Sequence, residues 1–382
     1  MKLSKITEEI KCSSIDDLIK NLERASVRML TSEGGRVVHG SDHASEPELQ
    51  GHYFWRGQSF VFRGMANSEW SLISSLFRNL KEADFEYRIA QLVGLNSHKG
   101  NFSIRAFSSW NGNIDEDTYK VFAAIITEFY FLDAFYRSAN INGLRVPPIR
   151  QLDECFSSSE YSMGGWETEI IREYMQYKEE HFGKNSSAFM QYETLAALAQ
   201  HYGVTTRLLD WSYDMIVALY FAVMGAAKSI VDGEMTHDGS CAVWIMDVEN
   251  LVMNTFRKLR VVTPPYFDNA NLAAQKGVLS YWQTAELTDY LLPLDEQIVK
   301  YFSSRADCMG LLNQKYFYKL TLPYTEIKHA IEYLIVKGYT AARLFPGYQG
   351  VVRSFEEHRL FQLLTEPELV KKHLSNFREK GM

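Results

Sequence analysis

The chain has 382 residues, of which 46% are hydrophobic and 14% aromatic, so it holds ample apolar surface for a core and global disorder is excluded. Its 47 acidic and 40 basic residues leave a formal net charge of −7, with no long Lys/Arg run, which argues against a footprint for duplex nucleic acid. Cys12, Cys155, Cys241 and Cys308 are far apart and form no CxxC or zinc-spaced cluster, so free thiols in a reducing compartment and no metal site are expected.

The opening MKLSKITEEIK has no apolar stretch of the signal-peptide kind, and the most apolar helix candidate, near 119–137, contains Glu128 and Asp133. No membrane span is expected, and a cytoplasmic location is. Residues 14–30 predict an amphipathic helix with Ser14 as N-cap and Ile15, Leu18, Leu22 and Val27 on one face. A polar Gly/Ser/His loop follows to about residue 51. YFWRGQSFVFRG alternates and is aromatic, which predicts one or two strands bent at Gly57 and ending at Gly64.

Residues 70–78 are short and apolar, 85–95 predict a helix, and 119–138 give a strong helical pattern, followed by a loop-rich stretch to 165 with Pro147 and Pro148. A helix over 187–201 should stop at Gly203. TTRLLDWS then predicts a strand, and YDMIVALYFAVMGAAKS a helix capped by Ser212 or Asp214. In that helix Ala218, Ala222 and Ala226 recur at a spacing that lets it approach a sheet closely. Beyond Gly239 strands are expected in SCAVWIMDV, KLRVVT, AQKGVLSYW and YFYKLTL, and a last helix over 326–337 with Thr325 as N-cap and Gly338 as its stop.

The fold expected is α+β: a bent or split, mainly antiparallel sheet core with flanking helices and a helical insertion. Residues 1–50 read as an N-terminal helix and polar loop, 51–80 and 186–355 as the core, 81–185 as the insertion and 356–382 as a C-terminal tail segment.

Two segments carry candidate chemistry. In Phe62-Arg63-Gly64 a guanidinium at the end of a strand beside a glycine suits an anion or diphosphate, and an internal ion pair explains it equally. In HYGVTTRLLDWS, Arg207 and Asp210 sit among Leu208, Leu209 and Trp211, so both charges need partners, whether in a structural network or in a pocket. His201 is a candidate ribose or adenine contact, or a residue settling the negative end of the preceding helix. Trp70 and Trp211 could stack on a base or fill the core, and core is the favoured reading because large aromatics dominate interiors. No P-loop, GxGxxG, GxSxG, HExxH or EF-hand spacing occurs.

These segments resemble the FRG domain family, named for Phe-Arg-Gly. The resemblance lies in FRGMANSEWSLISSLFR at 62–78, QHYGVTTRLLDWS at 200–212, VALYFAV at 217–223, NANLAAQKGV at 269–278 and LFPGYQG at 344–350, with Met65 and Leu279 departing from the usual glutamine and aromatic. The order of parts also resembles ADP-ribosyltransferases. That likeness implies NAD as substrate, with Arg63 gripping the diphosphate and Ser212 holding the nicotinamide ribose. His201, Arg207 and Asp210 are further ligand contacts, and Gln275 stands in place of the catalytic glutamate. A glutamine hydrogen-bonds a ribose hydroxyl but supplies no negative charge. A weakened enzyme, another acid such as Glu286 or Asp210, and a binding fold without catalysis all stay open. The implied partners are a nucleotide and a macromolecular acceptor or protein partner, and the implied role is a toxin or phage-defence effector. The alternative is a non-catalytic protein-binding module whose arginine motifs are structural. A single-strand nucleic-acid binder is disfavoured by the acidic balance.

Overall fold

The computed structural model describes residues 4–31, 60–78, 80, 95–98, 101–104, 116–149, 188–236, 238–266, 269–284 and 286–365. The strands, in chain order, are β1 (Thr7–Lys11), β2 (Phe60–Met65), β3 (Leu95–His98), β4 (Asn101–Ile104), β5 (Leu209–Ser212), β6 (Ser240–Asp247), β7 (Leu259–Val262), β8 (Gly277–Trp282) and β9 (Phe317–Pro323). The helices are α1 (Ile15–Thr31), α2 (Ser75–Arg78), α3 (Glu116–Ile141), α4 (Glu193–His201), α5 (Met215–Val231), α6 (Val248–Asn254), α7 (Ala270–Ala274), α8 (Leu294–Ser303), α9 (Ile327–Val336), α10 (Ala341–Leu344) and α11 (Tyr348–Thr365), with short 3-10 turns between some of them.

Seven strands form one sheet in the order β1-β9-β6-β2-β5-β8-β7, and β3 and β4 form a separate antiparallel hairpin. Among the described residues only β1 and β9 pair in parallel; the other pairings in the large sheet are antiparallel. One seam is weak. β2 pairs with β6 along its length, from Phe60↔Asp247 to Met65↔Ala242, yet it meets β5 at the single register position Phe62↔Ser212. The sheet is nonetheless continuous across this seam, and the fold is the α+β class expected.

Side-chain alternation assigns the two faces. Phe60, Phe62, Val243, Ile245, Tyr318 and Leu320 pack with α1, α5 and α9, while Val61, Met65, Trp244, Met246 and Phe317 pack with Leu251 of α6 and Ile298 and Phe302 of α8. A third cluster joins Val262, Leu279 and Tyr281 to α3 and α4, so the α3 part of the expected insertion shares a core with the sheet.

Helix α5 shows why the sequence folds this way. Asp214 caps it, its Oδ1 accepting from the Ile216 N–H at 3.0 Å, and Gly233 beyond its end takes φ +76°. The helix is apolar nearly all round and correspondingly buried. A Cβ on Gly64 would lie 1.9 Å from the Ala218 carbonyl oxygen and 2.6 Å from the Ala222 nitrogen. The close approach expected of the alanine stripe is therefore present, and Gly64 is what permits this helix–strand contact.

Helix α1 begins as expected, with Ser14 Oγ accepting from Asp17 N–H at 3.2 Å. Strand β1 was not expected from the sequence, and neither was the β3–β4 hairpin within the segment read as helical. The helix ending before Gly338 is not the last: α10 and α11 follow, so residues 356–365 of the segment read as the C-terminal tail are helical. Thr325 lies in a 3-10 turn ahead of α9 and does not cap it. The helix expected at 85–95 lies almost entirely outside the described residues, as does the bend at Gly57. Among the described residues, no helix is long and apolar enough to cross a membrane.

Candidate functional site

The segment 200–212 builds two sides of one groove. Gln200 and His201 end α4, Gly203 turns the chain at φ +96°, and β5 follows along the weak seam. Thr206 Oγ1 donates to Gln200 Oε1, and Gln200 Nε2 donates to Asp210 Oδ1 at 2.5 Å, so Asp210 is held in place although it is largely exposed. The groove has a volume of about 1010 Å³ and is bordered by α4, α5, the β2–β5 seam, β8 and residues of α11. Lining residues on α5 run from Val217 to Ser229, roughly 18 Å of helix.

Arg63 sits in the seam. Its Nη1 donates to the Asp210 carbonyl oxygen at 2.6 Å, bridging β2 and β5 beside their single register position, and lies 3.7 Å from Asp210 Oδ2. Its Nε is buried without a hydrogen-bond partner. Burial lowers the Arg63 pKa below its ordinary value, Asp210 works the other way, and Arg78 adds to the lowering. The cation is thus desolvated and poorly compensated, since Asp210 is 68% exposed. Such a group is stabilised by an anion that enters the groove.

Arg207 is elsewhere. Its backbone N–H and Nε each donate to Glu128 of α3 at 2.7 Å, Nη2 lies 2.6 Å from Glu128 Oε2, and the guanidinium stacks 4.1 Å from the Phe189 ring centre. Burial works against its charge, but Glu128 raises the Arg207 pKa above the ordinary value. Arg207 does not line the groove. The structure therefore separates it from the other candidates: it points into the α3–α4 core, where a carboxylate already receives it.

Ser212, His201 and Gln275 do line the groove with Arg63 and Asp210. Ser212 Oγ donates to the Gln275 carbonyl at 2.7 Å and accepts from Asp214 N–H at 2.9 Å, leaving one acceptor lone pair. Gln275 is not on a strand, as the sequence suggested. It closes α7 two residues before β8, and its Nε2 donates to the Leu344 carbonyl at 3.1 Å. Burial lowers the His201 pKa, with Asp210 opposing, which favours a neutral imidazole over a cation settling the end of α4. Glu286 is not among the groove residues. Trp211 is buried, its Nε1 donating to Ser280 Oγ at 2.8 Å, whereas Trp70, expected in the core, is 44% exposed and lines the groove. Among the described residues no group of three or more His, Cys, Asp or Glu could hold a metal ion.

Residues 150–230 match the family model for the FRG domain. The chain carries an FRG domain. No curated protein and no solved structure matches the chain. Within the described residues the FRG match covers α4, β5 and nearly all of α5, so the segment that gives the groove a wall and part of its floor lies inside it. Arg63, Gln275 and the α11 side of the groove lie outside the matched residues. Gln200, Phe221, Phe345 and Arg353 also face the groove and were not singled out as site residues, although Gln200, Phe221 and Phe345 stand inside the quoted sequence motifs.

Proposed function

We propose that the groove binds NAD in the manner of an ADP-ribosyltransferase, with Arg63 holding the diphosphate and Ser212 and Gln275 beside the nicotinamide ribose. The observation that carries the reading is Arg63: a desolvated guanidinium at the weak seam of a sheet, with a buried Nε that has no partner. A diphosphate supplies acceptors to such a fork, each charge-assisted bond contributing about 1.5–3 kcal/mol. Asp210, held by Gln200, and His201 offer an acceptor and a ring nitrogen for sugar hydroxyls.

On this reading transfer is slow. Departure of nicotinamide leaves positive charge on the ribose, and Gln275 brings a dipole there but no carboxylate. The acceptor is a macromolecule, and the role is that of a toxin or phage-defence effector. Chromatographic measurement of nicotinamide released from NAD tests the chemistry. Slow release by the native chain, at least tenfold faster release by Gln275→Glu and none by a folded Arg63→Ala are expected, on the scale of one lost charge-assisted contact. Absence of release from both the native chain and Gln275→Glu would remove the transferase reading.

The second reading, a protein-binding module whose arginines hold the core, draws its support from the Arg207–Glu128 pair. It requires Arg63→Ala to unfold the chain as well.

A further inference from the structure

We propose that Arg353 is a second phosphate contact of the groove, presented by a wall that the LFPGYQG segment builds. This rests on the dinucleotide reading above and concerns residues outside the FRG match.

The wall is specified residue by residue. Gly347 takes φ +110°, which turns the chain from α10 into α11. A Cβ on Gly350 would lie 1.9 Å from the Phe345 carbonyl oxygen and 2.7 Å from that of Ala341, so glycine alone lets α11 pack on α10. Glu357 of α11 accepts from Tyr220 of α5 and, at 3.0 Å, from the Ala341 N–H. Leu344 receives the Gln275 amide, and Tyr339 donates to Asp214 Oδ2 at 3.0 Å. The wall is thereby fastened to α5 and to the turn before β8, the two elements that frame the inner groove.

Arg353 is what this wall presents. Its guanidinium carbon lies 4.3 Å from the centre of the Phe345 ring, which covers one face and leaves the edge N–H donors for an anion. Among the described residues it makes no ion pair. Arg63 and Arg353 thus bring two arginines to one groove from separate elements in a chain of net charge −7, one under-compensated and the other without a carboxylate. A diphosphate offers each of these two groove arginines a phosphate to receive.

Calorimetric titration with NAD of the native chain, Arg353→Ala and Arg353→Lys, at low and at raised salt, tests this. Arg353 is exposed, so both variants should melt with the native chain. The expected result is a loss of NAD affinity of about tenfold or more in Arg353→Ala, a shallower decline of affinity with salt, and partial recovery in Arg353→Lys. Affinity within twofold of native in Arg353→Ala, with Arg63→Ala still abolishing binding, would overturn this inference and leave the NAD reading standing. Absence of NAD binding by the native chain would overturn both.

Discussion

Glu128 is fully buried and receives Arg207 through two hydrogen bonds and an ion pair, so each group is tolerated in the core only because of the other. Glu128→Ala leaves the guanidinium buried among Phe129, Phe189 and Tyr290 without its carboxylate. The expected cost is about 3–5 kcal/mol, read as a lower urea midpoint, because breaking one side of a buried pair strands the other charge. A change below about 1 kcal/mol would mean that solvent reaches the pair. The need of Arg207 for a partner was legible in its apolar neighbours, Leu208 and Leu209. The partner was not, because Glu128 is 79 residues away on a helix whose own pattern shows only that it is apolar. Arg63 is the opposite case: the sequence left a ligand contact and an internal pair equally open, and the structure gives it a backbone carbonyl, an exposed carboxylate at 3.7 Å and an idle Nε.

At the scale of elements, the contact of β2 with α5 is set by small residues on both sides. Gly64 meets Ala218 and Ala222, and Gly225 meets Ala66. Gly64→Ala would place a methyl inside backbone atoms of α5 and force the helix outward, at an expected cost of about 1–3 kcal/mol in thermal or urea unfolding. Native-like stability would show that α5 can shift without loss. This stripe was readable from spacing, as were β5, β6, β7, β9, α1 and α5, whose periodicity and caps are local. Strand β1 was not: TEEIK is five residues long, mostly polar, and becomes a strand through its parallel pairing with β9, more than 300 residues away. Gln275 was placed on a strand because AQKGVLSYW reads as one run; Asn269 caps a short helix there instead, and the strand begins at Gly277.

For the whole molecule, the short seam between β2 and β5 is the feature on which the proposed function rests. It frees the Asp210 carbonyl, draws Arg63 across the seam and opens a groove that α4, α5 and the wall formed by α10 and α11 then deepen. The fold class and the segments bordering the groove were legible in the sequence. The assembly of the wall was not, since its fastenings, Glu357 to Tyr220 and Gln275 to Leu344, join residues 137 and 69 positions apart. The central claim is that this groove takes NAD through Arg63. Calorimetric titration of the native chain and of Arg63→Ala, with the fold of the variant checked by circular dichroism, tests it most directly. Micromolar-range binding by the native chain, lost in a folded Arg63→Ala, is the predicted result. No binding by the native chain, or equal binding by the variant, would contradict it.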